Sequence, residues 1–402
     1  MTAAKVTAKV TPYDLHVPPP KENNFFTKGT HIIKSIKFII MIQVLLGLNR
    51  LYLFKCGVII LWLSYFYTGF LVVMTMYVIV IGDTYSGVHV IIRDAANIEY
   101  LLLVITSLLF QKKTLVNFIH DLAIFDETIN VTKEIGATLQ MVHRAVVWMT
   151  LSLIYSIIEY YTIYVYASGH ELRPSILVVY VAGMAHDSEV ILYVTMIRAI
   201  KIRLQILKTH IVKAFGTESV LNNSEEPDKI ESMANNAHLD TTAMHRAYEL
   251  LHKCAEQLNS VMSFPMILML FSAGLGTTLL LKNFFQRSDD DANNLMFQAL
   301  IMYTSVRCFK YTALVVIPCY YASVTTRQVS VIRTTLHNAV NTFKLDKIER
   351  RKIKALFQLT KDNEFAYALW GVIQLSMSLP LSYASLCTTY LVITIQFSKF
   401  ID

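Results

Sequence analysis

Residues Asn363 to Phe397 read NEFAYALWGVIQLSMSLPLSYASLCTTYLVITIQF, with no charge after Glu364. As one continuous helix this stretch would be roughly 50 Å long, against a hydrocarbon core of roughly 30 Å. Part of it must therefore leave the membrane, and Pro380 is where an interior helix would kink or divide. The outer part, Leu381–Phe397, fits one span. Within it Thr389, Ile393, Gln396 and Phe400 recur at helical spacing, a thin stripe on an otherwise apolar rod. An intramembrane Gln needs a polar partner or water.

The rest of the chain has the same character. Hydrophobic residues make up 54% of the sequence and charged ones only 16%, with a mean hydropathy of +0.45. That composition belongs to an all-α polytopic membrane protein. The 22 Tyr and 21 Phe exceed what spans alone require; interfacial belts, packing and one aromatic-walled pocket all use them. The net charge of +7 is a topology signal and does not point to nucleic acid. Residues 1–30 are polar, contain Pro18-Pro19-Pro20 and lead into no signal-peptide pattern, so they read as a disordered tail. His31 to Phe54 brackets a short apolar core with Lys34, Lys37 and Arg50, the pattern of an interfacial or re-entrant helix.

Seven spans follow: Cys56–Val80, Ile91–Phe110, Ala145–Ala167, Ser175–Ile197, Val261–Phe285, Leu295–Ala322 and Leu381–Phe397. The segments 1–55, 111–140, 198–260 and 323–364 hold 28 Lys and Arg, whereas the alternate, short side holds five. The positive-inside bias then puts the amino terminus in the cytosol and the carboxy terminus outside, the reverse of a G-protein-coupled receptor. The sequons at Asn130 and Asn222 fall on the cytosolic side in this topology, and the five Cys imply no external disulfide framework. Helical apolar periodicity continues past the membrane over Val190–Val212, His245–Ser263 and Lys347–Leu359, while 216–240 reads as a flexible linker.

Motifs for catalysis, for a cofactor or for a metal are not in evidence. His245 and His252, one heptad apart, read as surface or packing residues, and Asp289-Asp290-Asp291 as a solvated loop. Ionisable residues inside spans are costly and carry more information. Glu159 lies in the third span, His186, Asp187 and Glu189 in the fourth, and Arg307 and Lys310 in the sixth. Two readings stand. Acid–base pairs between the fourth and sixth spans fix helix register, or Glu159, His186, Asp187 and Arg307, walled by Tyr155, Tyr161 and Tyr303, orient a small ligand. Gln396 likewise serves either an interhelical hydrogen bond or a pore.

The carboxy-terminal string also resembles a family. Thr389-Tyr390, five mostly apolar residues, then Gln396-Phe397 is similar to the signature closing the last helix of insect gustatory receptors, and Leu258-Asn259-Ser260 resembles their pattern before the fifth span. The resemblance implies a ligand-gated, nonselective cation channel, homotetrameric or heterotetrameric, in the plasma membrane of a chemosensory neuron. It implies a tastant-binding region in 31–197, cytosolic helical parts at 198–260 and 323–364 flanking spans five and six in 261–322, a pore helix in 365–397 and an extracellular tail at 398–402. Thr389, Ile393, Gln396 and Phe397 would then line the pore, with membrane lipids as the other partners. Sugar-receptor relatives carry Glu directly after the Thr-Tyr pair, where this chain has Leu391. That favours a bitter plant compound, with a fructose-type receptor or an odorant receptor of the same architecture as the alternatives. A secondary transporter is the remaining class, although the two halves show no internal repeat.

Overall fold

The computed structural model describes residues 30–54, 56–81, 88–129, 136–166, 174–215, 240–287, 295–342 and 346–401. The amino-terminal tail, both sequons and the triplet Asp289–Asp291 lie outside them. So do the side chains of Glu159, Tyr161, Tyr303 and Phe397.

The described fold is helical: α1 Thr30–Leu45, α2 Val58–Ile81, α3 Val88–Leu109, α4 Gln111–Thr128, α5 Gly136–Tyr166, α6 Pro174–Phe215, α7 Thr241–Arg287, α8 Leu295–Thr342, α9 Lys347–Asp362 and α10 Leu379–Ile401. Seven of them, α2, α3, α5, α6, α7, α8 and α10, coincide with the apolar runs. By length and composition alone, α2 and α7 qualify as spans among the described residues, as do α3 and α4 if that bent pair counts as one. The mid-span ionisable residues of α6 and α8 lower their hydropathy. The structure pairs those charges within the protein.

α6, α7 and α8 have 42, 47 and 48 residues, so each is about 60–70 Å long, roughly twice the thickness of a hydrocarbon core. α4 packs against α7, and α9 against α7 and α8. α4 occupies a segment whose charge made it read as a connection. It turns 62° from α3 at Phe110 and buries Leu115, Phe118, Ile119, Leu122 and Phe125, a single helical face. α9 is capped by Asp346, whose carboxylate accepts the Lys347 N–H at 2.7 Å, and buries Ile353 and Leu356.

α1 is too short to span and buries Ile32, Ile33, Ile36, Ile39 and Ile40 against the bundle. It ends at Gly47, whose φ of 82° suits glycine; a Cβ there would also sit 2.5 Å from the Tyr100 hydroxyl. Arg50, just beyond, is fully buried. Its guanidinium donates to Gln43 at 2.6 Å, to Gln111 and to Glu189 at 2.7 Å, joining the end of α1 to α4 and α6.

The final apolar run divides differently from the helix expected over 365–397. Residues 364–378 are not helical. Ala368–Leu369 (β1) and Ile373–Gln374 (β2) form a small antiparallel hairpin, closed by Trp370 at φ 50° and Gly371 at φ 71°. Two successive positive φ values make a tight hairpin turn, which stops a helix. The linker is tied to its neighbours: Tyr248 donates to the Asn363 carbonyl at 2.8 Å, Asn259 to that of Ala366 at 2.9 Å, and the Trp370 N–H to the Ser263 hydroxyl at 3.2 Å. Pro380 consequently lies in the first turn of α10, where its missing N–H costs nothing, and it starts the helix instead of kinking it.

Candidate functional site

Four consecutive residues of α6, His186-Asp187-Ser188-Glu189, reach in three directions. Successive helical residues are turned by about 100°, so one turn can feed three interfaces. Glu189 takes the Arg50 guanidinium at its 2.7 Å contact. The His186 Nδ1 lies 2.6 Å from Glu99 Oε1 on α3, and the Ser272 hydroxyl of α7 donates to the other oxygen of Glu99. Asp187 faces α5 and α8: Ser152 donates to its Oδ2, and the Lys310 ammonium lies 2.8 Å from the same oxygen.

Aromatic rings close around this second group. Lys310 Nζ stands 4.6 Å from the Tyr155 ring centroid and 5.9 Å from that of Tyr311. The Arg307 guanidinium carbon lies 5.5 Å from the Tyr311 ring centroid, and the guanidinium donates to the Tyr311 hydroxyl at 3.2 Å. His186 meets Tyr311 edge-on, with centroids 5.9 Å apart. Arg307, Lys310 and Tyr311 follow i, i+3, i+4 spacing, as do Ser152, Tyr155 and Ser156 on α5, so each helix offers one polar-aromatic face. Glu99, His186 and Asp187 are 4%, 6% and 1% exposed, so the pairs are buried and removing one partner would strand a charge.

The structure therefore gathers Tyr155, His186, Asp187 and Arg307 into one cluster. The expected acid–base contact between the fourth and sixth spans is present, made by Asp187 with Lys310 while Arg307 reaches Tyr311. Four members, Glu99, Ser152, Ser272 and Tyr311, were not singled out from the sequence. Glu99 is a carboxylate inside an apolar run, and the cost argument applied to Asp187 would have found it. Tyr311 sits one turn past Arg307. Ser272 carries no sequence signal.

The second candidate surface is α10. Its inner side is held to α7 by the Tyr383 hydroxyl, which donates to the Leu270 carbonyl at 2.8 Å over Gly274. Thr389, Ile393 and Gln396 all lie on its exposed side, together with Ser382, Ser385 and Thr388. The Thr389 hydroxyl turns back to the Ser385 carbonyl at 2.9 Å, as Thr does in an apolar helix.

Comparison with known proteins agrees with this architecture. No curated protein matches the chain. The solved insect olfactory receptor OR5 from Machilis hrabei in complex with eugenol is similar to it at a TM-score of 0.61 and 13% identity, over 92% of this chain and 100% of that one. The OR5 structure described without eugenol gives 0.52 and 12% over the same shares. At such identities the likeness is one of fold. Residues 34–401 match the 7tm chemosensory receptor family, and the chain belongs to that family: it is a polytopic membrane receptor of the chemosensory class and not an enzyme.

Proposed function

We propose that this protein is a gustatory receptor that works as a tastant-gated, nonselective cation channel, with four subunits placing α10 around a common axis. One observation carries the proposal: α10 is uncovered along a side where Ser382, Ser385, Thr388, Thr389 and Gln396 stand among Leu381, Val392 and Ile393, and the Gln396 amide is a group that lipid would leave without a partner. A symmetric ring of copies covers that side and gives it water. Ile393 then forms an apolar ring that gates by dewetting, and Gln396 an uncharged polar ring that discriminates poorly among cations. Phe397 follows at the pore edge.

The ligand enters this reading at the cluster of Tyr155, His186, Asp187 and Arg307, with Glu159 and Tyr161 further along α5 and Tyr303 on α8. α6 and α8 both carry cluster residues and both pack toward α7, which holds α10. A ligand that binds the cluster more tightly in the open arrangement shifts the population toward it. A bitter plant compound is the ligand class proposed, because Leu391 stands where sugar-receptor relatives have Glu. The odorant reading is the alternative with support, since the similar solved structures are olfactory receptors.

Whole-cell recording from heterologous cells against sugars, plant alkaloids and volatile odorants tests the proposal. Alkaloid-evoked cation current is the expected result; current evoked by volatiles alone favours the odorant reading, and no ligand-evoked current contradicts both. The proposed orientation has its own test. An epitope after Asp402 should label on intact cells and one before Met1 only after permeabilisation, and the opposite pattern would reverse the topology.

A further inference from the structure

Lys310 occupies a seat with the features of an ammonium-binding site. A carboxylate, Asp187, lies 2.8 Å from its Nζ, and the rings of Tyr155 and Tyr311 lie 4.6 and 5.9 Å away. A carboxylate with two aromatic faces suits any organic ammonium ion, tethered or free. A second feature points to a ligand. Asp187 is 1% exposed, yet its Oδ1 has no hydrogen-bond partner among the described residues. Such an orphaned acceptor is costly, and a donor arriving on a ligand would recover that cost. The seat is also approachable. The Lys310 side chain is 15% exposed against 2% for that of Asp187, and a lysine stem is flexible enough to withdraw its head.

We infer that this seat binds cationic amines, which displace the Lys310 ammonium from Asp187 and from the face of Tyr155; the inference rests on the ligand site proposed above. The neighbouring charges narrow the choice. Both oxygens of Glu99 are engaged, with His186 and Ser272, whereas Ser152 and Lys310 hold Asp187 through Oδ2 and its Oδ1 is left for a ligand. Arg307, held at Tyr311, adds positive charge on one side and disfavours dications. The tethered lysine acts as a built-in competitor whose effective concentration is in the millimolar range or above. Small amines therefore bind weakly, and an amine with a large apolar body that adds contacts outcompetes the lysine. Displacement breaks the Lys310–Asp187 tie between α8 and α6, which gives the ligand a means of favouring one arrangement of these helices over another.

The test is calorimetry on the purified full-length receptor with n-butylammonium, which matches the lysine head and stem, and with 1-butanol as its neutral counterpart. Lys310→Met should tighten n-butylammonium binding by about tenfold or more and leave 1-butanol unchanged. Adding Asp187→Asn should abolish the gain. Equal binding by wild type and Lys310→Met, an equal gain for 1-butanol, or tighter binding of Na⁺ than of n-butylammonium would each overturn the inference. Should Lys310→Met fail to reach the surface alone, n-butylammonium in the growth medium should restore it and 1-butanol should not; absence of rescue counts against the seat. The two readings separate cleanly. If the amine binds as described but substitutions at Tyr155, Asp187 and Arg307 alter no channel response, the ligand-gating reading falls and the amine seat stands.

Discussion

Two of the spans, α2 and α10, leave most of their side chains uncovered, and the two surfaces differ in chemistry. α2 exposes Ile59, Trp62, Phe66, Val73 and Val80, several at about 70–80% of their full area, and hides Ser64, Thr68 and Thr75. Thr68 uses its hydroxyl inside, donating to the Gly47 carbonyl at 3.2 Å. α10 is mixed, exposing Leu381, Leu386, Tyr390 and Val392 among its polar groups. It buries Leu391 and shows Ser385, Thr388, Thr389 and Gln396 to its surroundings. A helix with polar groups inward and bulky apolar groups outward is dressed for lipid. One that also turns an amide outward needs water or a protein neighbour for that amide, while its threonine hydroxyls are met by carbonyls of their own helix. The difference separates a lipid-facing span from the proposed pore helix within one chain.

A charge placed on each surface should produce the largest effects. Thr389→Lys would set a ring of ammonium groups in the proposed pore and is expected to cut cation current more than about tenfold at normal surface levels. Phe66→Lys puts the same charge into lipid at a cost of about 2.5–3.5 kcal/mol, so it should lose surface protein instead. Surface biotinylation alongside recording reads both, and current loss with Phe66→Lys at full surface level would erase the distinction.

The next effect lies in the buried cluster, which the comparison requires to act on α10 from a distance. Asp187→Asn or Arg307→Gln should weaken the agonist response several-fold while leaving most of the protein at the surface. If both variants are retained in the cell, the ion pairs are structural, since stranding a buried charge costs about 3–5 kcal/mol. If both respond as wild type does, the ligand binds elsewhere. A smaller change is expected from Ile393→Ser, which should raise current without ligand by wetting the apolar ring, whereas Phe70→Ser on α2 should leave basal current as it is. The smallest effect concerns how the two helices are entered. Gly371→Ala forces a Cβ into φ 71° before α10 and should cost of the order of 1 kcal/mol in thermal unfolding. Gly57→Ala before α2 meets nothing within 4 Å and should cost little.

Much of this contrast was legible in the residues themselves. The uncharged run of α2 and the stripe of Thr389, Ile393 and Gln396 are visible as periodicity, and Asp187, Arg307 and Lys310 as charges in apolar runs. Other parts were hidden for physical reasons. α4 carries Lys112, Lys113 and Glu127 outward and buries Asp121 and Asp126 in ion pairs with Lys253 and Arg203, and this charge masks the apolar face it buries beside them. The hairpin at 368–374 lies in a run as apolar as a span, and its turn depends on Trp370 adopting a positive φ that its residue type disfavours. Arg50 looks like the polar end of a short helix, and only the three-way meeting with Gln43, Gln111 and Glu189 makes it a buried hub. The partners of Asp187 depended on which helices pack together, which no local pattern encodes.

Cysteine accessibility measures the α10 surface most directly. Gln396→Cys and, separately, Phe66→Cys would be recorded in a Cys387→Ser background during application of a cationic methanethiosulfonate reagent. A water-lined conduction path at α10 predicts that ligand-evoked current through Gln396→Cys falls progressively and irreversibly as the reagent reacts, while current through Phe66→Cys is unaffected. Unchanged current through Gln396→Cys, with the thiol shown by labelling to have reacted, would mean that α10 does not line the pore.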